Sequence, residues 1–152
     1  MKKLFVIAII STISIAISAQ SYRGASNKQT PEQKLNEEYC TGFFKGADGI
    51  ILDVASQASA SGYLNILDWL NGRVAGLQIY TNKWGVRFPV IRGSVAGIYI
   101  DEMPVSASAV NSLNVNDIAI IKVIKTPFYG GFNGAGGDIA IYTLKGEEEE
   151  EE

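Results

Sequence analysis

The chain has 152 residues, a formal net charge of −3, 47% hydrophobic residues, one cysteine (Cys40) and no histidine. One thiol forms no intramolecular disulfide, and without histidine the usual zinc sites and the base-activated nucleophile are missing. The charge is a sum of unlike parts. Residues 147–152 carry six of the 16 acidic residues and Lys2–Lys3 two of the 13 basic ones, which leaves residues 20–146 with 11 basic and 10 acidic, or +1. No cluster of Lys and Arg suggests a nucleic-acid surface.

Residues 1–19 have the form of a secretory signal: Lys2 and Lys3, an apolar run from Leu4 to Ile17, and the small pair Ser18-Ala19 before Gln20. The run is short for a spanning helix, which needs about 20 residues. Residues 20–38, QSYRGASNKQTPEQKLNEE, are polar and read as a flexible N-terminal arm. Cys40 lies about 20 residues past the expected cleavage point, so no covalent lipid anchor is expected; a small buried thiol is the simpler reading.

The ordered domain is expected over residues 39–146. Ile50 to Val54 is a short apolar run after Gly49 and predicts a strand; residues 55–62 suit a loop. Tyr63, Ile66, Leu67 and Leu70 recur at i, i+3, i+4 and i+7, which predicts an amphipathic helix over 63–71 with Ser61 as its cap and Gly72 as its stop. Strands are expected at Leu77 to Thr81, at Val86 to Ile91 and at Gly97 to Asp101, with Pro89 restricting the second to an edge or a bulge. Residues 101–104 turn the chain back, and residues 106–116 read as a loop with one helical turn. Ile118 to Lys125 is the strongest strand signal, with Ala119, Ile121 and Val123 on one face and Ile120, Lys122 and Ile124 on the other. The last strand is Ile139 to Leu144, and residues 147–152 form a self-repelling tail expected to be disordered. One helix followed by several strands predicts an α+β fold: a small mixed β-sheet with one or two short helices.

Five of the eight residues from Gly130 to Gly137 are glycine, immediately before that last strand. A dinucleotide fingerprint would lead into a helix, and a phosphate loop would end in Gly-Lys-Ser/Thr; this loop ends Gly137-Asp138 and leads into a strand. The role left is conformational: positive φ and close backbone approach where the chain reverses. Asp48, Asp53, Asp68, Asp101, Glu102, Asp117 and Asp138 show no informative pair spacing, and no G-x-S-x-G elbow occurs. No catalytic, cofactor-binding or metal-binding residue is therefore named. The aromatics Trp69, Trp84, Tyr99, Tyr129 and Tyr142 belong either to the core or to a binding surface, with core the commoner fate of large rings.

Four stretches in order carry a family likeness: ILDWLNGRVAGLQIY (66–80), VIRG (90–93), GIYIDEMPV (97–105) and LNVNDIAIIKVIKTPFYGGFNGAGGDIAIYTLKG (113–146). Together they resemble the plug domain of TonB-dependent outer-membrane receptors, most closely the SusC-like branch. The likeness spans residues 66–146, about half the chain. It implies that the glycine loop is the plug's tight reversal into its last strand. It also implies an exported module in the periplasm or at the periplasmic face of the outer membrane. Such a module would act in nutrient uptake by contact with an outer-membrane β-barrel or receptor complex. Arg87, Arg92, Tyr99 and Tyr129 are the candidate contact residues, with a surface salt bridge the simpler role for the two arginines. The sequence departs from the family in three ways. No barrel follows Lys145-Gly146, so a stand-alone plug without its own pore is expected; no TonB box appears in residues 20–40; and Glu102 stands where the family usually has glycine. The other readings are a soluble periplasmic module binding a glycan or peptide, and a receptor relic without a role of its own.

Overall fold

The computed structural model describes residues 29–126 and 136–145. The signal segment, the first part of the arm, Tyr129 with most of the glycine loop, and the glutamate tail lie outside the described residues.

Among the described residues the first element is a helix, within the part of the expected arm (residues 20–38) that is described. Helix α1 (Pro31–Tyr39) begins in a capping box: the Thr30 side chain accepts from the Gln33 N–H at 3.2 Å, and the Gln33 side chain accepts from the Thr30 N–H at 2.8 Å. Pro31 sits in the first turn, where a missing N–H costs nothing. These local signals outweigh the polarity that suggested an arm. Helix α2 (Gly42–Gly46) follows, then strand β1 (Ile50–Asp53). Helix α3 (Ile66–Leu70) is shorter than its apolar spacing suggests, because the Asn65 side chain, not that of Ser61, caps it by accepting from the Leu67 N–H at 2.8 Å. Tyr63 is left outside the helix, while Ile66, Leu67, Trp69 and Leu70 are all buried.

Seven strands follow: β2 (Leu77–Thr81), β3 (Arg87–Ile91), β4 (Ser94–Val95), β5 (Gly97–Ile100), β6 (Met103–Val105), β7 (Ile118–Ile124) and β8 (Asp138–Thr143). The expected loop at 106–116 contains two 3-10 turns, Ala109–Ser112 and Val115–Asp117. The strands form a five-stranded mixed sheet in the order β1-β7-β8-β5-β6 and a three-stranded antiparallel sheet in the order β2-β3-β4. Only β5 and β8 pair in parallel within the larger sheet. The α+β class expected from the sequence is the class observed.

Pro89 lies within the central strand of the smaller sheet, and the bond it cannot donate falls at the last pair of the β3–β4 ladder. Strand β4 faces only Val90 and Ile91, and the Pro89 carbonyl accepts from the Ala96 N–H at 3.0 Å. The missing N–H points to the same side, where the ladder ends.

Strand β7 is buried along its whole length. The expected alternation along it is corrected at one residue. The register with β8 shifts between Ile118↔Thr143 and Ile120↔Tyr142, so Ala119 is an extra, bulged residue. The Ala119 carbonyl accepts from both Val54 N–H (2.9 Å) and Ala55 N–H (3.0 Å). The bulge places Ile118 with Ile121 and Val123 in the core shared with α3 and the small sheet. It turns Ala119 to the opposite face with Ile120 and Ile124, in a second cluster that Cys40 and Phe44 cover.

The two described glycines of the loop explain its composition where it meets β8. A Cβ on Gly136 would lie 2.7 Å from the Ser94 carbonyl oxygen, and one on Gly137 (φ 108°) would lie 2.2 Å from the Ile124 carbonyl oxygen. Backbone meets backbone here, and the small sheet is seated against the large one.

Candidate interaction surfaces

The hairpin between β5 and β6 turns on Asp101 and Glu102, both in the left-handed region with φ 48° and 66°. Two non-glycine residues with positive φ form the turn type that suits a two-residue hairpin, at a steric cost glycine would avoid. Their side chains supply the compensation. The Asp101 carboxylate accepts from Thr143 twice, from N–H at 2.9 Å and from Oγ1 at 2.8 Å. The Glu102 carboxylate accepts from the Thr41 N–H at 2.5 Å, from Thr41 Oγ1, and from the Tyr142 hydroxyl at 3.1 Å. The turn thus fastens the junction of α1 and α2 to the end of β8. A cavity of about 310 Å³ opens beside it, lined by Tyr39, Thr41, Asp101, Glu102, Tyr142, Thr143 and Lys145.

Lys122, at the middle of β7, is 2% exposed. Its ammonium donates to Asn36 Oδ1 on α1 and to the Phe44 carbonyl on α2, both at 2.6 Å. Both acceptors are uncharged, and burial lowers the lysine's pKa. A polar groove of about 660 Å³ runs between α1 and β1 and reaches Lys122.

Asp138, at the start of β8, is fully buried, and neither carboxylate oxygen has a hydrogen-bond partner among the described residues. Its Oδ1 fills the space a Cβ on Gly97 would take, and the Gly97 N–H donates to the Gly137 carbonyl at 3.1 Å. Burial raises the Asp138 pKa. Burial also raises the pKa of Cys40, which keeps the thiol protonated, and that of its neighbour Tyr142. Among the described residues, no group of three or more His, Cys, Asp or Glu is placed to hold a metal ion.

The residues named as contacts are not brought to one surface. Arg87 is half-buried and its Nε is ion-paired with Asp68 Oδ1, the simpler role considered for it. Arg92 is exposed at the β3–β4 turn in the left-handed region (φ 52°). Tyr99 is 3% exposed and packs edge-on against Phe44 with ring centroids 5.0 Å apart, so it is a core residue and not an accessible contact. Tyr129 lies outside the described residues. The fastenings at Glu102 and Lys122 had no signal in spacing; Glu102 alone was marked, by standing where glycine was expected.

No family model and no curated protein matches the chain. Solved structures do. The RagAB peptide importer in its open-open state is 28% identical over 66% of this chain and 12% of its own, with a TM-score of 0.54. A ferric enterobactin receptor mutant from Pseudomonas aeruginosa is 21% identical over 65% of this chain and 18% of its own (TM-score 0.54). The siderophore receptor PirA from Acinetobacter baumannii is 20% identical over 70% and 19% (TM-score 0.56). The last two speak to fold alone. All three are TonB-dependent receptors, and the chain is similar to them over about two-thirds of its own length as a plug-like domain. It spans less than a fifth of theirs.

Proposed function

We propose that this protein is a plug-like module of an outer-membrane uptake system, working by contact with a receptor barrel or receptor complex rather than by catalysis. The observation that carries the reading is a two-sheet α+β domain that matches the RagAB peptide importer at 28% identity over 66% of the chain. That likeness supports a role in nutrient uptake, with export to the periplasm or the periplasmic face of the outer membrane as part of the same reading. The contact surface is built from exposed features of the domain: the Arg92 turn, the Asp101–Glu102 hairpin and the outer strand edges. The test is affinity purification of residues 20–152 from outer membranes of the native cells, with mass spectrometry of what co-purifies. A stoichiometric barrel or receptor subunit is expected. Recovery of a folded monomer without a membrane partner overturns the docking role.

A further inference from the structure

The helical segment from Thr30 to Ala47 lies over the second core cluster and has an unusual attachment. Helix α1 contributes no buried side chain, and Phe44 is the only buried residue of α2. Cys40, between them, is 1% exposed, with Leu35, Tyr39 and Ala47 half-buried. The rest of the attachment is polar and comes from three side chains of the body. Lys122 holds Asn36 and the Phe44 carbonyl, Glu102 holds Thr41, and Lys145 donates to the Glu38 carbonyl. Both helices are far shorter than the length at which a helix holds itself together in water.

The Lys122 fastening is the least secure of these. Closing the segment takes an ammonium out of water and gives it two neutral hydrogen-bond acceptors in return, with the Asp48 charge the one carboxylate that favours it. The groove beside α1 already reaches that lysine. The Glu102 fastening rests on a turn of strained backbone (φ 66°). Among the described residues nothing of this kind joins the two sheets, whose seam is backbone and apolar side chain.

We infer that residues 30–47 are a lid, latched by Lys122 on Asn36 and the Phe44 carbonyl, that opens as a unit while both sheets stay folded. Opening uncovers an apolar sheet face made of Ile51, Tyr99, Ile120, Ile124 and Tyr142, with Lys122 and Asp138 set in it. The inference stands on the geometry of this chain and does not depend on the proposed uptake role.

Cys40, the only cysteine, sits at the lid's midpoint and reports its opening. The rate of its modification by a thiol reagent is measured on residues 20–152 from zero to low urea, beside amide exchange of Ile121 and Ile141. The lid predicts labelling at least about 10-fold faster than exchange at those core amides, with little dependence on urea. Asn36→Ala, which removes one acceptor from the latch at a half-buried site, should speed labelling at least about 5-fold and leave core exchange unchanged. Labelling that tracks core exchange with the same urea dependence overturns the lid. Local labelling that Asn36→Ala leaves unchanged overturns Lys122 as its latch.

Discussion

Glu102→Gly sets two readings of one position against each other. The family likeness, with glycine usual there, says the change relieves the turn. Glu102 has φ 66°, and releasing a side chain from that conformation is worth roughly 1–2 kcal/mol. The structure says the carboxylate is worth more than the relief. It accepts from the Thr41 N–H at 2.5 Å, from Thr41 Oγ1 and from the Tyr142 hydroxyl at 3.1 Å. Hydrogen bonds to a charged group contribute about 1.5–3 kcal/mol each, and the two to Thr41 are exposed and belong at or below the low end. Leaving the Tyr142 hydroxyl without its acceptor in a buried site costs about 1–3 kcal/mol more. The loss is then roughly 3–5 kcal/mol against a gain of 1–2, so Glu102→Gly should destabilise by about 2–3 kcal/mol. Urea unfolding of the two proteins at equal slope measures this directly. Tyr142→Phe in both backgrounds isolates the hydroxyl, with a coupling of about 1 kcal/mol expected. A glycine variant as stable as the parent would refute the view that the hairpin is a fastening.

Asp138→Asn tests the buried carboxyl. Its folded pKa is raised above its ordinary value of 3.8 by burial, so the native state holds this proton more tightly than the unfolded chain does. The stability this contributes is complete below the ordinary value and is lost as pH rises through the raised one. The asparagine variant should therefore match the parent near pH 3 and exceed it at pH 7, and a difference constant with pH would refute the assignment. Gly137→Ala forces a Cβ to within 2.2 Å of the Ile124 carbonyl oxygen at φ 108°, and should cost about 3 kcal/mol or more by thermal or urea melting. Arg87→Ala should change stability by less than about 1 kcal/mol, because its pair with Asp68 is over a third exposed on both sides.

Strands were legible where one residue type dominates a run. Strand β2 falls on Leu77–Thr81 as its apolar β-branched and aromatic content predicts, and β7 and β8 lie within one residue of expectation. Gly72 follows α3 with φ 78°, as a helix stop should. Helix α1 was legible in principle, since Thr30, Pro31 and Gln33 spell a capping box, but a polar stretch with only Leu35 and Tyr39 on one face hides it. The bulge at Ala119 was not legible. It exists because β7 must meet Thr143 and Tyr142 of β8 while its Ala119 carbonyl serves two N–H groups after β1. Among the contact residues the sequence could not tell a buried tyrosine from an exposed one. Burial of Tyr99 depends on Phe44, 55 positions earlier, which reaches it only because α2 folds over the sheet.

Rigid and movable parts of this domain are set by the same distinction between contacts. The two sheets meet at Gly136, where the Ser94 and Ile91 carbonyl oxygens occupy the space a side chain would need, and through the apolar core they share. Such a seam has one packed arrangement, since sliding it by even a side-chain's width would close the backbones onto each other. The helical segment instead meets the sheet largely through long polar side chains, Lys122, Glu102 and Lys145, whose protein partners water can replace when the segment lifts as a unit. Glycine is thus spent on fixing the sheets to each other, and charge on holding the helices to them. If the helical segment is the lid inferred above, a contact that opens this domain should displace that segment before it disturbs the seam.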